Sequence, residues 1–205
     1  MKIIETFGYH PGEGFRRLER HFQRMARSAE ALGYVFDRAA AEDAMRIEGD
    51  APLRCRLTLD AEGAFAFETT PFLPVTGTWR IEIAPERLES ADPWLRHKTT
   101  QRAIYDRMRA ELPDGIDERV LLNEAGHVCD GTITTVFADL GALLVTPPLS
   151  AGVLPGVLRA EMLESGQAVE DTLIPGDLAD ARELYVGNSL RGLIPADLVG
   201  YSAAS

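Results

Sequence analysis

Hydrophobic and polar residues follow two different periods in the first half of the chain, and each period predicts a different kind of element. Between residues 15 and 32, apolar side chains recur every three or four positions, which predicts an amphipathic helix that Gly33 ends. Asp37 is placed to cap a second, shorter helix. Apolar and polar residues alternate from 53 to 59, which predicts a half-buried strand, and residues 65–68 are its predicted hairpin partner.

The same mixture of helices and strands continues to the end of the chain. Helices are predicted at 100–112, 156–165 and 175–181, and strands at 1–8, 78–84, 119–123, 128–129, 134–139, 143–146, 169–174 and 183–186. The stretch 86–97 has little periodicity. We therefore expect a small N-terminal α/β domain at 1–85, a linker at 86–97 and a larger C-terminal α/β domain at 98–205. Strands and helices cluster within each half, so the expected fold class is α/β of the α+β type.

Composition excludes several classes of function. A net charge of −11 argues against a nucleic-acid partner, because binding phosphates requires a basic surface. No apolar run is long enough to cross a bilayer and no signal-peptide pattern is present, so we expect a cytoplasmic protein with no membrane partner. Two cysteines predict free thiols, and the four histidines lack metal-ligand spacing, so we expect no metal site.

Lysine is rare in this chain, which draws attention to the one lysine that lies far inside it. Of 21 basic residues only Lys2 and Lys98 are lysines, and the rest are arginines. Arginine stays protonated and cannot act as an amine nucleophile, whereas a lysine that loses its proton can condense with an aldehyde. Lys98 is therefore a candidate covalent residue. The alternative is a surface charge left in an arginine-rich chain.

A set of motifs in a fixed order carries a more specific signal. The motifs are Ile4–Thr6 with His21–Met25, Asn123–Gly131, Leu144–Pro148, Leu154–Arg159 and Tyr185–Pro195. In this order the chain resembles the class IV aminotransferase family, the pyridoxal-phosphate enzymes of fold type IV. That family includes branched-chain aminotransferases, D-amino-acid aminotransferases and aminodeoxychorismate lyases. The resemblance implies a two-domain fold of the D-amino-acid aminotransferase type with pyridoxal 5'-phosphate in the interdomain cleft, and a homodimer. It starts almost at Glu5, so we expect the fold to be shortened at its N-terminus.

The resemblance assigns two catalytic residues. Lys98 matches the family's lysine, which binds the cofactor aldehyde as a Schiff base and then transfers the proton at the substrate's α-carbon. Asp130 stands where the family usually has a glutamate that pairs with the pyridine nitrogen. Aspartate has the same charge on a side chain one methylene shorter. The alternative for Asp130 is an ordinary Asp-Gly turn.

The resemblance also implies a set of cofactor-binding residues. Arg24 matches the arginine that binds the cofactor phosphate, and a guanidinium suits that anion well. The amides of Val157 and Leu158 at a helix start would provide a second phosphate anchor. Ser189 matches a hydroxyl residue near the phosphate, and Leu154 would pack on the ring. Each also has an ordinary structural interpretation as a surface arginine, a turn cap or a core leucine.

Substrate recognition is less specific in the sequence. Arg54 and Arg56 on their predicted strand are candidates for a substrate carboxylate, as is Arg102. The branched-chain enzymes carry a tyrosine shortly after the lysine, whereas this chain has none until Tyr105. Lys98 followed by Arg102, and the segment Asn188–Leu190, resemble the lyases more closely.

Three functions therefore remain open at the level of sequence. The default is amino-group transfer on an amino-acid substrate, of the branched-chain type. The first alternative is 4-amino-4-deoxychorismate lyase activity, a β-elimination that gives 4-aminobenzoate and pyruvate. The second alternative is a non-catalytic relative that binds the cofactor.

Overall fold

The structure, a computed structural model, describes residues 1–202, and these cluster into two compact units. Unit 1 contains residues 1–74 and 97–101, and unit 2 contains residues 75–96 and those from 102 onward. The strands are β1 (Ile3–His10), β2 (Gly14–Phe15), β3 (Leu53–Leu59), β4 (Phe65–Pro71), β5 (Trp79–Leu88), β6 (Glu118–Asn123), β7 (Val128–Gly131), β8 (Thr135–Asp139), β9 (Leu144–Thr146), β10 (Ala168–Glu170), β11 (Glu183–Asn188) and β12 (Gly192–Leu198). The α-helices are α1 (Leu18–Leu32), α2 (Arg38–Ala44), α3 (Ala103–Ala110), α4 (Val157–Glu164) and α5 (Pro175–Asp180).

Unit 1 is built on a four-stranded antiparallel sheet in the order β2-β1-β3-β4. The apolar positions of α1 and one face of the sheet form its core, with Phe7, Phe22, Met25 and Leu57 all fully or almost fully buried. The predicted end of α1 at Gly33 and the predicted start of α2 at Asp37 are both confirmed. The amide of Gly33, at a φ of 71°, bonds back to the last carbonyls of α1, and the Asp37 carboxylate accepts hydrogen bonds at the start of α2.

Unit 2 contains an eight-stranded sheet in the order β10-β9-β8-β11-β12-β5-β6-β7 among the described residues. Strand β7 also pairs with β8, so the six strands from β8 to β7 form a closed ring. The inward-facing residues of the ring form its core, and they include Ile81, Val120, Val136 and Val186, all fully buried.

The expected boundary between the domains differs from the division that the structure shows. Strand β5 hydrogen-bonds in parallel to β6 and β12, which places residues 75–96 in unit 2 and leaves no linker at 86–97. The register of β5 on β6 shifts between Ile83 and Arg87, around Pro85. A bulge accommodates a proline and interrupts the two-residue period. The strand predicted at 78–84 therefore continues to Leu88, and the interrupted period explains why its last residues resembled a linker in the sequence.

Several further elements differ from the sequence-based expectation, and one is the strand predicted at 169–174, which is only β10 (Ala168–Glu170) in the structure. Helix α3 begins only at Ala103, three residues after the predicted start. Strand β12 was not predicted, although Ile194 and Ala196 are buried and alternate with exposed residues on it. Pro195 lies in that strand, and a proline inside a run argues against a strand in sequence alone. In the part of the chain that the structure describes, no helix is long and apolar enough to cross a membrane.

Candidate active site

In unit 1, the Lys98 segment is held by the first strand. The Lys98 carbonyl accepts a hydrogen bond from the Ile4 amide at 2.8 Å, and the Thr100 amide donates to the Lys2 carbonyl at 2.9 Å. Thr99 forms a bridge with Ile3 between these two bonds. Lys98 is half-buried on extended backbone and precedes α3, so it is not a residue of a solvated helix start.

A buried charge cluster lies on the same strand and on α1. The Glu5 carboxylate is 1% exposed and accepts two hydrogen bonds from Arg24, from Nε at 2.8 Å and from Nη2 at 2.6 Å. The Nδ1 atom of His21 lies 2.5 Å from the second Glu5 oxygen. Residues 21 and 24 are one turn apart on α1, so both reach Glu5 from the same helix face. The cluster fixes the guanidinium of the predicted phosphate-binding arginine.

The cluster also determines the charges of its members. Burial would raise the pKa of Glu5, but the charges and hydrogen bonds of Arg24 and His21 outweigh it and lower that pKa to about 2. Burial lowers the pKa of His21 below its ordinary value. The Arg24 guanidinium, which stays protonated, therefore supplies the lasting positive charge beside Glu5.

In unit 2, three neighbouring strands bring the predicted cofactor residues into one row. Asp130 on β7 pairs with Thr135 on β8, and Thr135 pairs with Gly187 on β11. Helix α4 packs close to this row. A Cβ at Gly187 would lie 2.9 Å from the Leu158 side chain and 2.6 Å from the Gly192 carbonyl, so only a glycine fits. The row therefore joins the predicted pyridine partner to the start of α4 and to the segment that contains Ser189.

Asp130 is almost completely buried, and its carboxylate has a defined partner. Its Oδ2 atom accepts a hydrogen bond from the Leu154 amide at 2.7 Å. The loop that contains Leu154 is tethered by side chains around it: Arg96 donates to the Val153 carbonyl at 3.0 Å, and Asn123 donates to the Ala151 carbonyl at 3.1 Å. A carboxylate in an ordinary solvated turn would need no such support.

The start of α4 has the features of an anion site. Gly156 occupies the N-cap and no side chain caps the helix, while Val157 and Leu158 form its first turn. The amides of a first turn have no acceptor within the helix. Ser189, 8% exposed, follows β11 in a turn that the Asn188 side chain holds by accepting the amides of residues 190 and 191.

The three candidate substrate arginines have different surroundings. In unit 1, Arg54 and Arg56 lie on one face of β3, half-buried, and neither side chain makes a hydrogen bond or ion pair among residues 1–202. In unit 2, Arg102 is already engaged. It donates to Asp106 at 2.7 Å and to the Thr132 carbonyl at 2.8 Å, and it lies over the Tyr105 ring.

Comparison with known proteins gives the family. A model of the family described as "Amino-transferase class IV" matches residues 2–199. The chain belongs to this family. A crystal structure of a Mesorhizobium loti protein described as a "Putative amino-acid aminotransferase" is 43% identical, with a TM-score of 0.92, over 97% of this chain and 99% of that one. A Schizosaccharomyces pombe protein named "Putative aminodeoxychorismate lyase" is 29% identical over 96% of this chain and 89% of its own length.

The fold of the class IV family is confirmed by a more distant structure. The branched-chain aminotransferase from Escherichia coli is 16% identical and superposes with a TM-score of 0.82 over all of this chain and 78% of that one. The expected fold type IV and the expected family are therefore both correct.

Two carboxylates of this class IV chain, Glu5 and Glu118, are buried in the structure although the sequence predicts no function for either. Glu5 was noted only as part of a motif, and Glu118 was placed one residue before its predicted strand. Glu118 lies at the start of β6 and is completely buried. A signal existed for Glu5, because it lies on an apolar strand where a charge needs a partner. Among the described residues no group of three or more histidine, cysteine, aspartate or glutamate side chains could hold a metal ion.

Proposed function

We propose that this protein is a pyridoxal-phosphate-dependent enzyme that transfers the amino group of an amino-acid substrate. The observation that carries the proposal is the row of Asp130, Thr135 and Gly187 beside the uncapped start of α4. That row supplies a buried carboxylate for a protonated ring nitrogen and helix amides for a phosphate. The donor chemistry of the chain fits the cofactor, since Lys98 adds an amine and Arg24 a guanidinium.

The bound cofactor would supply an electron sink for the substrate's α-carbon. The Lys98 amine would attach the cofactor covalently and, once displaced by the substrate amine, would move the proton at that carbon. Asp130 would hold the proton on the ring nitrogen. Arg24, the amides of Val157 and Leu158, and the Ser189 hydroxyl would bind the phosphate, while Leu154 would pack against the ring.

Arg54 and Arg56 are the proposed partners of the substrate carboxylate. They are the better candidates because they are half-buried and their side chains form no other polar contact in residues 1–202. Arg102 remains a third candidate, but its Nε and Nη2 atoms are used by Asp106 and Thr132. A guanidinium that is not engaged elsewhere can donate two parallel hydrogen bonds to a carboxylate, whereas one that already donates to other residues is less suited to do so.

The covalent attachment has a direct test. Purified protein is incubated with pyridoxal phosphate, reduced with borohydride and digested, and the modified peptide is identified by mass spectrometry. We expect the label on Lys98, a yellow protein before reduction, and loss of both in Lys98→Ala. Lys2→Ala is a matched control, since it removes the other lysine of the chain. A colourless protein that fails to take up the cofactor would support the alternative of a non-catalytic relative.

The lyase reaction is the second candidate function. The Lys98–Arg102 spacing favours it, and so does the name of the S. pombe relative, which spans 96% of this chain. Holoenzyme is incubated with aminodeoxychorismate, and separately with branched-chain amino acids and 2-oxoglutarate. Pyruvate with 4-aminobenzoate in the first reaction identifies a lyase. Glutamate in the second reaction, without that product pair in the first, identifies an aminotransferase.

The oligomeric state of the protein and its cellular compartment are also proposals. A homodimer is supported by the family, and light scattering would measure the mass. A cytoplasmic location is supported by Cys55 and Cys129, which are both free and buried.

A further inference from the structure

Glu118 is a completely buried carboxylate whose two oxygens are both saturated with hydrogen bonds. Its Oε1 atom accepts from the Arg119 amide at 3.0 Å, from the Thr132 amide at 3.0 Å and from the Thr132 hydroxyl. Its Oε2 atom accepts from the Thr134 hydroxyl at 3.0 Å and from the Ile133 amide at 3.2 Å. Four of these five donors belong to one short segment, which we call the 131–134 turn.

The charge of Glu118 is compensated mainly by these neutral donors. The nearest cation is the Arg109 guanidinium, 3.6 Å from Oε1, and 37% of that side chain is exposed. Arg109 also donates to the Asp117 carbonyl at 2.6 Å. A buried carboxylate that accepts several directional bonds fixes the backbone of its donors more strongly than an ion pair at the protein surface would.

The 131–134 turn closes tightly on the carboxylate. The Gly131 amide donates to the Thr134 carbonyl at 2.7 Å. A Cβ at Gly131 would lie 2.3 Å from the Thr134 hydroxyl and 2.9 Å from Glu118 Oε2, so the close approach requires glycine. Asp130 immediately precedes this turn, and its strand partner Thr135 immediately follows it. The position of the Asp130 backbone is therefore set by the turn.

Two backbone carbonyl groups of the same turn accept hydrogen bonds from side chains in or next to other parts of the candidate site. The Thr132 carbonyl accepts the Arg102 guanidinium at 2.8 Å. The Ile133 carbonyl accepts the Asn188 side-chain amide at 3.1 Å, next to Ser189. Through the 131–134 turn, Glu118 thus supports Asp130, the predicted partner of the pyridine nitrogen. Through the same turn it supports Asn188, which lies next to Ser189, the residue predicted to bind the phosphate.

We propose that Glu118 is a positioning residue of the active site, which orients Asp130 and Ser189 toward the cofactor through the 131–134 turn. The inference rests on the proposed cofactor role of Asp130. Its rival is a purely structural Glu118, whose loss would lower stability but leave the folded protein's affinity for the cofactor unchanged.

Two variants remove the support to different extents. Glu118→Gln places an NH2 group where one carboxylate oxygen was, so a donor faces the amide of Ile133 or of Thr132. Thr134→Val removes one hydroxyl donor without changing the side-chain volume, and Thr134→Ser restores the hydroxyl. Glu124→Gln is the matched control, because Glu124 also anchors a loop of unit 2, through Ser90, but is exposed.

The measurements are the dissociation constant of pyridoxal phosphate, from absorbance titration, and the pH dependence of the bound cofactor's visible spectrum. Both are taken at a temperature where circular dichroism shows each variant to be folded. We expect about a tenfold weaker affinity for Glu118→Gln and about threefold for Thr134→Val, with a shifted pH profile in both. Thr134→Ser and Glu124→Gln should bind like the wild type. Should Glu118→Gln fail to fold, Thr134→Val with its serine rescue decides the question.

Asp130→Asn, measured in parallel, separates the two proposals. If it changes affinity and spectrum while folded Thr134→Val and Glu118→Gln match the wild type, Glu118 is purely structural and the inference is overturned. If Asp130→Asn itself matches the wild type, the assignment of Asp130 is wrong, and the positioning role of Glu118 is lost with it.

Discussion

Replacing Glu5 by glutamine is predicted to destabilise unit 1 more than any surface charge substitution would. Glutamine keeps the volume of the side chain but has one acceptor oxygen and one NH2 group. If its oxygen faces His21 and Arg24 Nη2, its NH2 group faces the Nε–H of Arg24, donor against donor. The guanidinium, which belongs to a residue that is 5% exposed, then loses its counter-charge.

Two independent routes give the size of the effect. Each pKa unit corresponds to about 1.4 kcal/mol, so a fall from 4.5 to about 2 corresponds to about 3 kcal/mol of stability from the ionised Glu5. Breaking a buried ion pair by removing one partner costs about 3–5 kcal/mol in other proteins. The pKa of Glu5 is lower in the folded state, so its contribution is complete above pH 4.5 and is lost as the pH falls toward 2.

Urea unfolding from pH 7 down to pH 3, followed by far-ultraviolet circular dichroism, measures the difference between wild type and Glu5→Gln. Hydrogen exchange of α1 locates that difference in unit 1. We expect about 3 kcal/mol at pH 7, shrinking steadily below pH 4.5. Glu19→Gln, which removes an exposed carboxylate of α1 that pairs with Arg38 of α2, is the control and should have little effect. A difference under about 1 kcal/mol, or one that does not change with pH, would refute this account of the cluster.

Three further outcomes follow from single contacts. Asp37→Ala removes the two hydrogen bonds that cap α2 and should cost about 1 kcal/mol in thermal unfolding, whereas an unchanged melting temperature would show that the cap is dispensable. Gly187→Ala forces a methyl group against the Gly192 carbonyl and should cost about 1–3 kcal/mol of unfolding free energy and weaken cofactor binding; wild-type values for both would mean that α4 can move away. Burial raises the pKa of the Cys129 thiol to about 12, so Ellman's reagent should label it only after unfolding, and rapid labelling of the native protein would contradict this.

Local signals in the sequence predicted the elements whose cause is local. Helix α1 follows from its apolar period and ends at Gly33, whose positive φ suits glycine. The cap at Asp37 likewise depends on amides only two and three residues away. Strand β5 depends instead on parallel pairing with β6 and β12, strands that lie far along the chain, and its bulge removes the local period. For that reason the sequence predicted the start of this strand but placed its end too early.

The candidate site divides in the same way. Lys98 and Asp130 were predicted from motifs, because the residue types themselves carry the chemistry. Glu5 and Glu118 were missed as partners, because their importance lies in what faces them across 19 and 16 residues of sequence, at Arg24 and Thr134. A carboxylate on an apolar strand signals that a partner is needed, but the sequence does not say which residue supplies it.

The contacts around Asp130 support the proposal that this shorter carboxylate takes the place of the family's glutamate. An aspartate oxygen extends less far from the backbone, so the backbone itself must be placed more accurately. Here the 131–134 turn is fixed from behind by Glu118, and the Leu154 amide holds Oδ2 at 2.7 Å from the other side. A longer, more flexible glutamate could find a ring nitrogen by rotating its side chain, whereas Asp130 depends on this framework. In this proposal Asp130 and the buried Glu118 act together, because a rigid backbone compensates for the shorter side chain of the aspartate.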